Sequence, residues 1–299
     1  AGEMTPDEIE ISHPDKLLFP DAGISKGEIA RYYARIAPRL LPYAKDRPLT
    51  LRLFPEGIGE PGFFNKHTPD HFPAFITRIR VPTRETDREA ALMSSAEKAA
   101  DLVYFAGQNA IELHAALSTR ADLEKPDQLI VDFDPADGDF EKVRQVACRF
   151  SALLTAWDLP GFWKTTGSRG LHVHLPLHPE QDFATVKGWA STLARRLHDA
   201  MPELTTLEQR KDKRGNRVFI DVLRNDYGQT AVLPYSVRAR PGAPVAMPIR
   251  VDELENPQLT PDRYTVKNAF RRLGQIEDPW QGFARRRLSA ARLAKALGG

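Results

Sequence analysis

Two apolar runs carry aspartates where a buried strand ordinarily carries none. Ile130-Val131-Asp132-Phe133-Asp134-Pro135 places two acids one residue apart, just before a proline. Side chains alternate faces along a strand, so Asp132 and Asp134 point the same way, roughly 7 Å apart at their α-carbons. Each raises the other's cost of ionisation, so something positive should sit between them. Arg217–Leu223 is a second strand-like run, with Asp221 among apolar neighbours. A lone carboxylate there is costly unless paired or metal-bound. Three aspartates from two neighbouring strands could hold two divalent ions, and hard oxygen donors favour Mg²⁺ or Mn²⁺ over zinc. Two such ions about 4 Å apart serve phosphoryl or nucleotidyl transfer. Two other readings stay open from spacing alone. Asp134-Pro135 also suits a strand end turning into solvent, and nearby arginines such as Arg224 could supply the positive charge.

Composition narrows the field. The chain has 299 residues, 41% of them hydrophobic, enough for a large core in one big domain or two packed lobes. Lys+Arg number 42 against 40 Asp+Glu, so any basic surface for nucleic acid must be local. Cys148 is the single cysteine. That excludes an intrachain disulfide, a structural zinc cluster and an iron–sulfur site, and fits a reducing, cytoplasmic compartment. No apolar run approaches the ~20 residues that span a bilayer, and no signal peptide opens the chain. The chain begins Ala1-Gly2-Glu3 and ends Leu297-Gly298-Gly299, the ends expected of a piece cut from a longer polypeptide.

Strands and helices alternate without repeats. Ser25 and Glu28 form a capping box, followed by Ile29, Tyr32, Tyr33, Ile36 and Leu40 at helical spacing. Leu49–Phe54 and Ile76–Val81 read as strands. Ala96–Leu117 reads as a helix broken near Gly107, and Leu129–Phe133 as a strand. Phe140–Trp157 is a helix, Gly161–Thr166 and Leu171–Leu177 are strands, and Phe183–Ala200 is a helix. Arg217–Leu223 and Thr230–Leu233 are expected to pair. Irregular chain from Arg240 to Pro261 precedes helices over about 263–273 and 282–297. The order predicts an α+β fold with mostly antiparallel central sheets flanked by helices.

Thr165 to His174 reads TTGSRGLHVH between two strands. Gly167 and Gly170 let the backbone turn sharply, so consecutive N–H groups could form an anion-binding nest. Thr166 and Ser168 add hydroxyls, Arg169 adds charge, and His172 and His174 share a strand face. No G-x-x-x-x-G-K-[ST] loop occurs. Downstream, Arg238 and Arg240 lie two apart in extended chain, and guanidinium forks suit phosphate oxygens. His114, read as helical, is expected to pack or cap. Arg285-Arg286-Arg287 reads as a solvated helix face.

Taken in order, these segments resemble the polymerase domain of bacterial ATP-dependent DNA ligase D, in the archaeo-eukaryotic primase superfamily. The matching segments are Asp15–Pro20, Phe63–His67, Asp132-Phe133-Asp134, Gly167–His172, Asp221–Asn225 and Pro234–Gly242, spanning nearly the whole chain. The resemblance implies a single primase-like domain over 1–299, with an N-terminal lobe of about 1–125 for DNA contacts and a catalytic core of about 126–299. It implies a template-dependent nucleotidyltransferase that fills gaps and adds nucleotides, ribonucleotides preferentially, at double-strand-break ends in non-homologous end joining.

By position, Asp132, Asp134 and Asp221 would hold two Mn²⁺ or Mg²⁺ ions. His114, Thr166, Ser168, Arg169, His172, Arg224, Arg238 and Arg240 would hold the incoming nucleoside triphosphate. Lys16 and Lys26 would grip the 5′-phosphate of a downstream strand. Phe63 and Phe64 would stack on template bases, which is worth ~1–3 kcal/mol per base. Arg52 and Arg214 join the DNA contacts. The implied partners are DNA ends, a Ku protein and the ligase and nuclease domains of the same polypeptide. The implied location is the cytoplasm, at the nucleoid. Arg169 stands where relatives commonly carry lysine, which keeps the charge and changes its geometry. The rival readings are a non-catalytic adaptor for 5′-phosphorylated ends and a two-metal nuclease. A triphosphate pocket discriminates, since neither rival needs one.

Overall fold

The predicted capping box forms: Ser25 Oγ accepts the Glu28 N–H at 3.2 Å. It closes a hairpin of β1 (Leu17–Phe19) and β2 (Ile24–Ser25) and starts α1 (Lys26–Ala44). This computed structural model describes residues 3–84 and 89–298. The chain continues through β3 (Leu49–Leu53), β4 (Phe63–Asn65), β5 (Arg78–Pro82), β6 (Ala90–Ser94), α2 (Ala99–Gly107) and β7 (Ala110–Ala116). Next come β8 (Gln128–Pro135), α3 (Phe140–Ala156), β9 (Phe162–Thr165), β10 (Leu171–Pro176), α4 (Phe183–Ala200), β11 (Thr205–Thr206) and β12 (Val218–Asp221). β13 (Thr230–Val232), β14 (Met247–Ile249), α5 (Ala269–Gln275) and α6 (Ala290–Leu297) complete it.

Two compact units result. The first comprises the segment through Leu123 together with 230–246 and 265–269. Its sheet runs β13-β7-β3-β6-β5, with β4 also paired to β3. The second comprises 124–229, 247–264 and the chain from Phe270 onward. Its sheet runs β11-β12-β8-β10-β9-β14. The β11–β12 pair is parallel and the other pairs of this sheet are antiparallel. The α+β class with mostly antiparallel sheets is as expected. A single boundary near 125 is not: the chain returns to the first unit after Gln229, so the C-terminal part is shared between the two.

Alternation gives the second sheet two unlike faces. Leu129, Val131, Phe133, Leu171, Val173, Leu175, Val218 and Ile220 point to one side. There they pack on Val143, Val146, Phe150 and Leu154 of α3 and on Val186, Ala190, Leu193 and Leu197 of α4. Burying such a side chain contributes about 1.5–3 kcal/mol, so this face fixes the register. The other face keeps every second residue of the same strands, and it carries the polar ones, Gln128, Asp132, Asp134, His172, His174 and Asp221, alongside Ile130 and Phe219.

Several expected elements differ. The run 110–116 is strand β7, not helix, so His114 lies on a strand. Alanine, leucine and glutamate favour helices locally, but pairing with β3 and β13 prevails. Phe63–Asn65 forms the short strand β4, paired with β3. β12 and β13 do not pair, because β12 joins β8 and β13 joins β7. The closing helices are shorter than expected, and Arg285 and Arg286 sit in a 3-10 turn, Phe283–Arg286.

Candidate active site

The acids come from adjacent strands in matched register. Asp221 of β12 lies opposite Asp132 of β8, and His172 of β10 lies opposite Asp132 from the other side. Lys164 of β9 faces His172. Directly paired residues share a face, so Asp221, Asp132, His172 and Lys164 form one row across four strands. Asp134 joins the same face two residues further along β8. The row sits on the polar side of the sheet described above.

Its electrostatics are those of carboxylates short of a cation. Asp132 is buried, and burial followed by the charge of Asp221 pushes it up to about 6, against the opposing influence of Arg224 and Lys164. Burial followed by Asp132 pushes Asp134 up to about 7. His172 Nε2 lies 3.4 Å from Asp132 Oδ1, an oxygen that is buried and accepts no hydrogen bond among the described residues. Asp221 Oδ1 accepts the Leu223 N–H at 2.9 Å. This set suits a hard divalent ion: oxygen donors, like charges side by side, and a buried oxygen without a donor. The fit is of neighbours rather than of a finished cage. Among the described residues no group of three His, Cys, Asp or Glu side chains is gathered tightly enough to hold an ion.

The glycine turn beside the row differs in detail from the expected nest. Gly167 takes the left-handed conformation, φ 70°, but its N–H donates to Pro261 C=O at 2.8 Å. The N–H groups of Ser168 and Gly170 both donate to Thr166 Oγ1 at 3.2 Å. Thr166 therefore occupies the place an anion oxygen would take, and the turn offers side chains: half-buried Ser168 and exposed Arg169. Arg169 is oriented by a 3.0 Å bond from Nη2 to Pro135 C=O. Gly170 is required by contact. A Cβ there would lie 1.9 Å from Phe133 O and 3.0 Å from Asp134 Oδ1.

Two residues that sequence reasoning passed over support the row. Asn225 is fully buried. Its carboxamide accepts the Ile130 N–H at 2.9 Å and donates to Ile130 C=O at 2.7 Å, standing in for a strand partner where β12 ends. Lys164 is fully buried, with Nζ 2.5 Å from His174 Nε2. His174 Nδ1 lies 2.7 Å from Gln128 Oε1, and its ring lies 4.8 Å from Trp280. His174 is thus held in an internal polar chain. A lysine directly after Phe162 and Trp163 in the buried FWKT strand is the signal that would have flagged this chain. Arg224 is oriented toward Gln229, 3.5 Å away.

The first unit gathers a second set of candidates. Buried Glu112 receives His114 Nε2 at 2.9 Å on Oε1. Oε2 accepts Arg52 Nη1 at 3.3 Å and the Ala239 N–H at 2.8 Å, and it forms an ion pair with Arg238, whose Nε lies 3.3 Å away. Burial by itself would raise Glu112, but the His114 hydrogen bond and the Arg238 charge prevail and hold it well below the usual carboxylate range. Glu112 was not among the expected residues. Reading 110–116 as a strand would have placed it on the face of His114. Phe63 and Phe64 are exposed at 51% and 60%, as stacking requires, and Arg52 lies 5.2 Å over the Phe64 ring. Arg240 follows in the same loop, its N–H bonded to Arg238 C=O at 2.9 Å.

Lys16 and Lys26 come together through the hairpin: the Lys26 N–H donates to Lys16 C=O at 2.8 Å. Lys26 is not a solvated lysine. It is 3% exposed and its Nζ donates to Ser12 C=O at 2.9 Å. Burial, then the charge of Lys16, lowers its pKa. Lys16 Nζ donates to Pro55 C=O. Arg214, expected on DNA, lies 3.7 Å over the Phe219 ring and donates to the Glu208 and Gln209 carbonyls, an internal staple. No helix among the described residues is long and apolar enough to cross a membrane.

Comparison with known proteins agrees with the geometry. A family model described as LigD, primase-polymerase domain, matches residues 25–280. The multifunctional non-homologous end joining protein LigD of Pseudomonas aeruginosa is 32% identical over 293 residues, covering 95% of this chain and 34% of that protein. Its namesake in Mycolicibacterium smegmatis is 30% identical over 254 residues, 84% of this chain and 33% of that protein. The chain thus spans about a third of the length of these relatives. Among solved structures, the polymerase domain from Mycobacterium tuberculosis ligase D in complex with DNA superposes with a TM-score of 0.86. That match is 28% identical and covers 94% of this chain and 99% of that one.

Proposed function

Because this chain belongs to the LigD primase-polymerase family, a family of nucleotidyltransferases, we propose that it extends a primer strand at broken DNA ends. The substrates would be ribo- or deoxyribonucleoside triphosphates, with ribonucleotides preferred as the resemblance implies. The observation that carries the reading is the row of Asp221, Asp132 and His172 in matched register across three strands, with Asp134 beside it.

Asp132, Asp134 and Asp221 would hold the divalent ions, two Mn²⁺ or Mg²⁺. Those ions, when bound, supply charge neutralisation at the transferring phosphoryl group and a lowered pKa for the primer 3′-hydroxyl. The protein's own part is positioning and charge. Ser168 and Arg169 would orient the triphosphate at the glycine turn, Thr166 would keep that turn closed, and Gly170 allows it to lie against Asp134. His172 would stand between the acids and the triphosphate as a donor. Lys164, at the end of the row, would add positive charge that favours the ionised acids. His114, Arg238, Arg240 and Arg224 would contact the nucleotide. Lys16 and Lys26 would select ends with a downstream 5′-phosphate, and Arg52, Phe63 and Phe64 would engage template bases. Ku and the nuclease and ligase domains would be partners within end joining.

The test is extension across a short gap bearing a 5′-phosphorylated downstream strand, with Mn²⁺, using ribo- and deoxyribonucleotides in parallel. The native chain should add nucleotides and Asp134→Ala should not. Equal incorporation by both would remove the acids from the reaction. Binding without incorporation by the native chain would favour the adaptor, and shortening of the primer the nuclease.

A further inference from the structure

Glu112 is 1% exposed and stands at the centre of an array of side chains and one backbone N–H. His114 approaches one carboxylate oxygen, while Arg52, Arg238 and the Ala239 N–H approach the other. The register explains how. Arg52 of β3 faces both Glu112 of β7 and Phe64 of β4, and Thr50 faces His114. The Arg52 guanidinium lies over Phe64 and Phe54, 5.2 and 4.9 Å from their ring centres. The His114 ring meets Phe64 edge-on at 5.7 Å.

Arg238 is delivered by a loop that has little freedom. Tyr235 is buried in the left-handed region, φ 73°, which a non-glycine residue adopts only when its surroundings over-determine it. Those surroundings are visible. Tyr32 Oη donates to Tyr235 C=O at 2.6 Å. Tyr33 Oη donates to Ile111 C=O at 2.6 Å and accepts the Val237 N–H at 3.0 Å. Ser236 Oγ accepts the Leu113 N–H at 3.0 Å. The loop is thereby fastened to β7 on either side of Glu112.

Two guanidiniums gathered this closely repel one another without an anion between them, and a protonated imidazole beside them adds to the repulsion. One buried carboxylate removes the repulsion and still leaves the group positive overall, so the array remains attractive to a polyanion. A buried, fully bonded charge also holds its partners in one geometry. From this we propose that Glu112 is a positioning residue for nucleotide recognition. Its carboxylate presets the His114 imidazole and the Arg238 guanidinium and ties both to the Arg52–Phe64 platform. The inference rests on the proposed function only in naming the nucleotide as what His114 and Arg238 recognise.

The experiment compares the native 299-residue chain with Glu112→Gln and Glu112→Asp. It measures ATP binding by calorimetry and the His114 imidazole titration by NMR. Glu112→Gln keeps the shape and removes the charge. It should weaken ATP binding about tenfold or more and lower the His114 midpoint. Glu112→Asp keeps the charge but shortens the reach. It should leave the imidazole titration nearer to native while ATP binding falls several-fold, since one shorter carboxylate cannot serve both sides. Native ATP affinity in both variants with an unchanged imidazole titration would overturn the proposal. Failure of the native chain to bind ATP would count against the nucleotidyltransferase reading, and the His114 titration would still decide whether Glu112 sets the array.

Discussion

Asp134→Asn should make the ion-free protein more stable while abolishing nucleotide addition. The acidic row is built at a cost. Asp134 is moved from its ordinary 3.8 to about 7 by burial and by Asp132, and each pKa unit corresponds to about 1.4 kcal/mol. Treated in isolation, the ionised side chain would cost about 4 kcal/mol at pH 8. Asp132 registers part of the same repulsion, since it too is raised, to about 6. About 2 kcal/mol is therefore the expected relief on replacing one acid.

The sign follows from proton binding. The folded protein holds these protons more tightly than the unfolded chain. The groups therefore favour folding most at pH below about 4 and lose that contribution as pH rises toward about 7. Asparagine removes the penalty and can still donate to Asp132. In a chelator at pH 8, thermal unfolding of Asp134→Asn should lie about 4–8 °C above native. At pH 5 the difference should fall to less than half of that, and it should vanish only below about pH 4. Mn²⁺ at pH 8 should raise the native midpoint more than the mutant's, because the ion relieves the repulsion that the mutation has already removed. A gain of equal size at pH 5, or none at pH 8, would show that the acids do not repel in the folded state.

Gly170→Ala should cost about 3 kcal/mol or more, because its Cβ would fall 1.9 Å from Phe133 O; denaturant unfolding measures it, and a native midpoint would mean the turn moves freely away from β8. Asn225→Ala strips both partners from Ile130 and should destabilise by about 2–4 kcal/mol, with Asn225→Asp recovering only the bond that accepts the Ile130 N–H. Lys16→Ala should weaken binding of a 5′-phosphorylated gap severalfold or more and leave the unphosphorylated duplex nearly unaffected, as read by fluorescence anisotropy. Equal losses on both would make Lys16 a general backbone contact.

The legible parts of this molecule were those where local pattern and tertiary contact agree. Helix α4 was expected over Phe183–Ala200 and is found there, with Asp182 Oδ1 accepting the Thr185 N–H as a cap. β8 and β12 were legible because an acid in an apolar alternating run has few places to go. β7 was not legible: its AIELHAA sequence is locally helical, and only β3 and β13, distant in sequence, make it a strand. That error hid Glu112, whose role depends on strand alternation. Lys164 and Asn225 were hidden for a related reason. What they do is set by cross-strand register, which a single sequence does not display. The glycine turn was found, but its N–H groups were expected to face an anion and instead close on Thr166.

The discontinuity of the first unit bears on how the protein is made. β7 can be synthesised early, yet its edge partner β13 and the loop bearing Arg238 follow only after the strands β8 to β12 of the other unit. At ~5–20 residues per second, translation leaves that edge unpaired for on the order of ten seconds. The first unit, begun at the N-terminus, is complete only at residue 269, after most of the second has been made. A nascent chain stalled before Thr230 would present β7 as an open edge, the kind of surface that chaperones cover and that aggregation exploits.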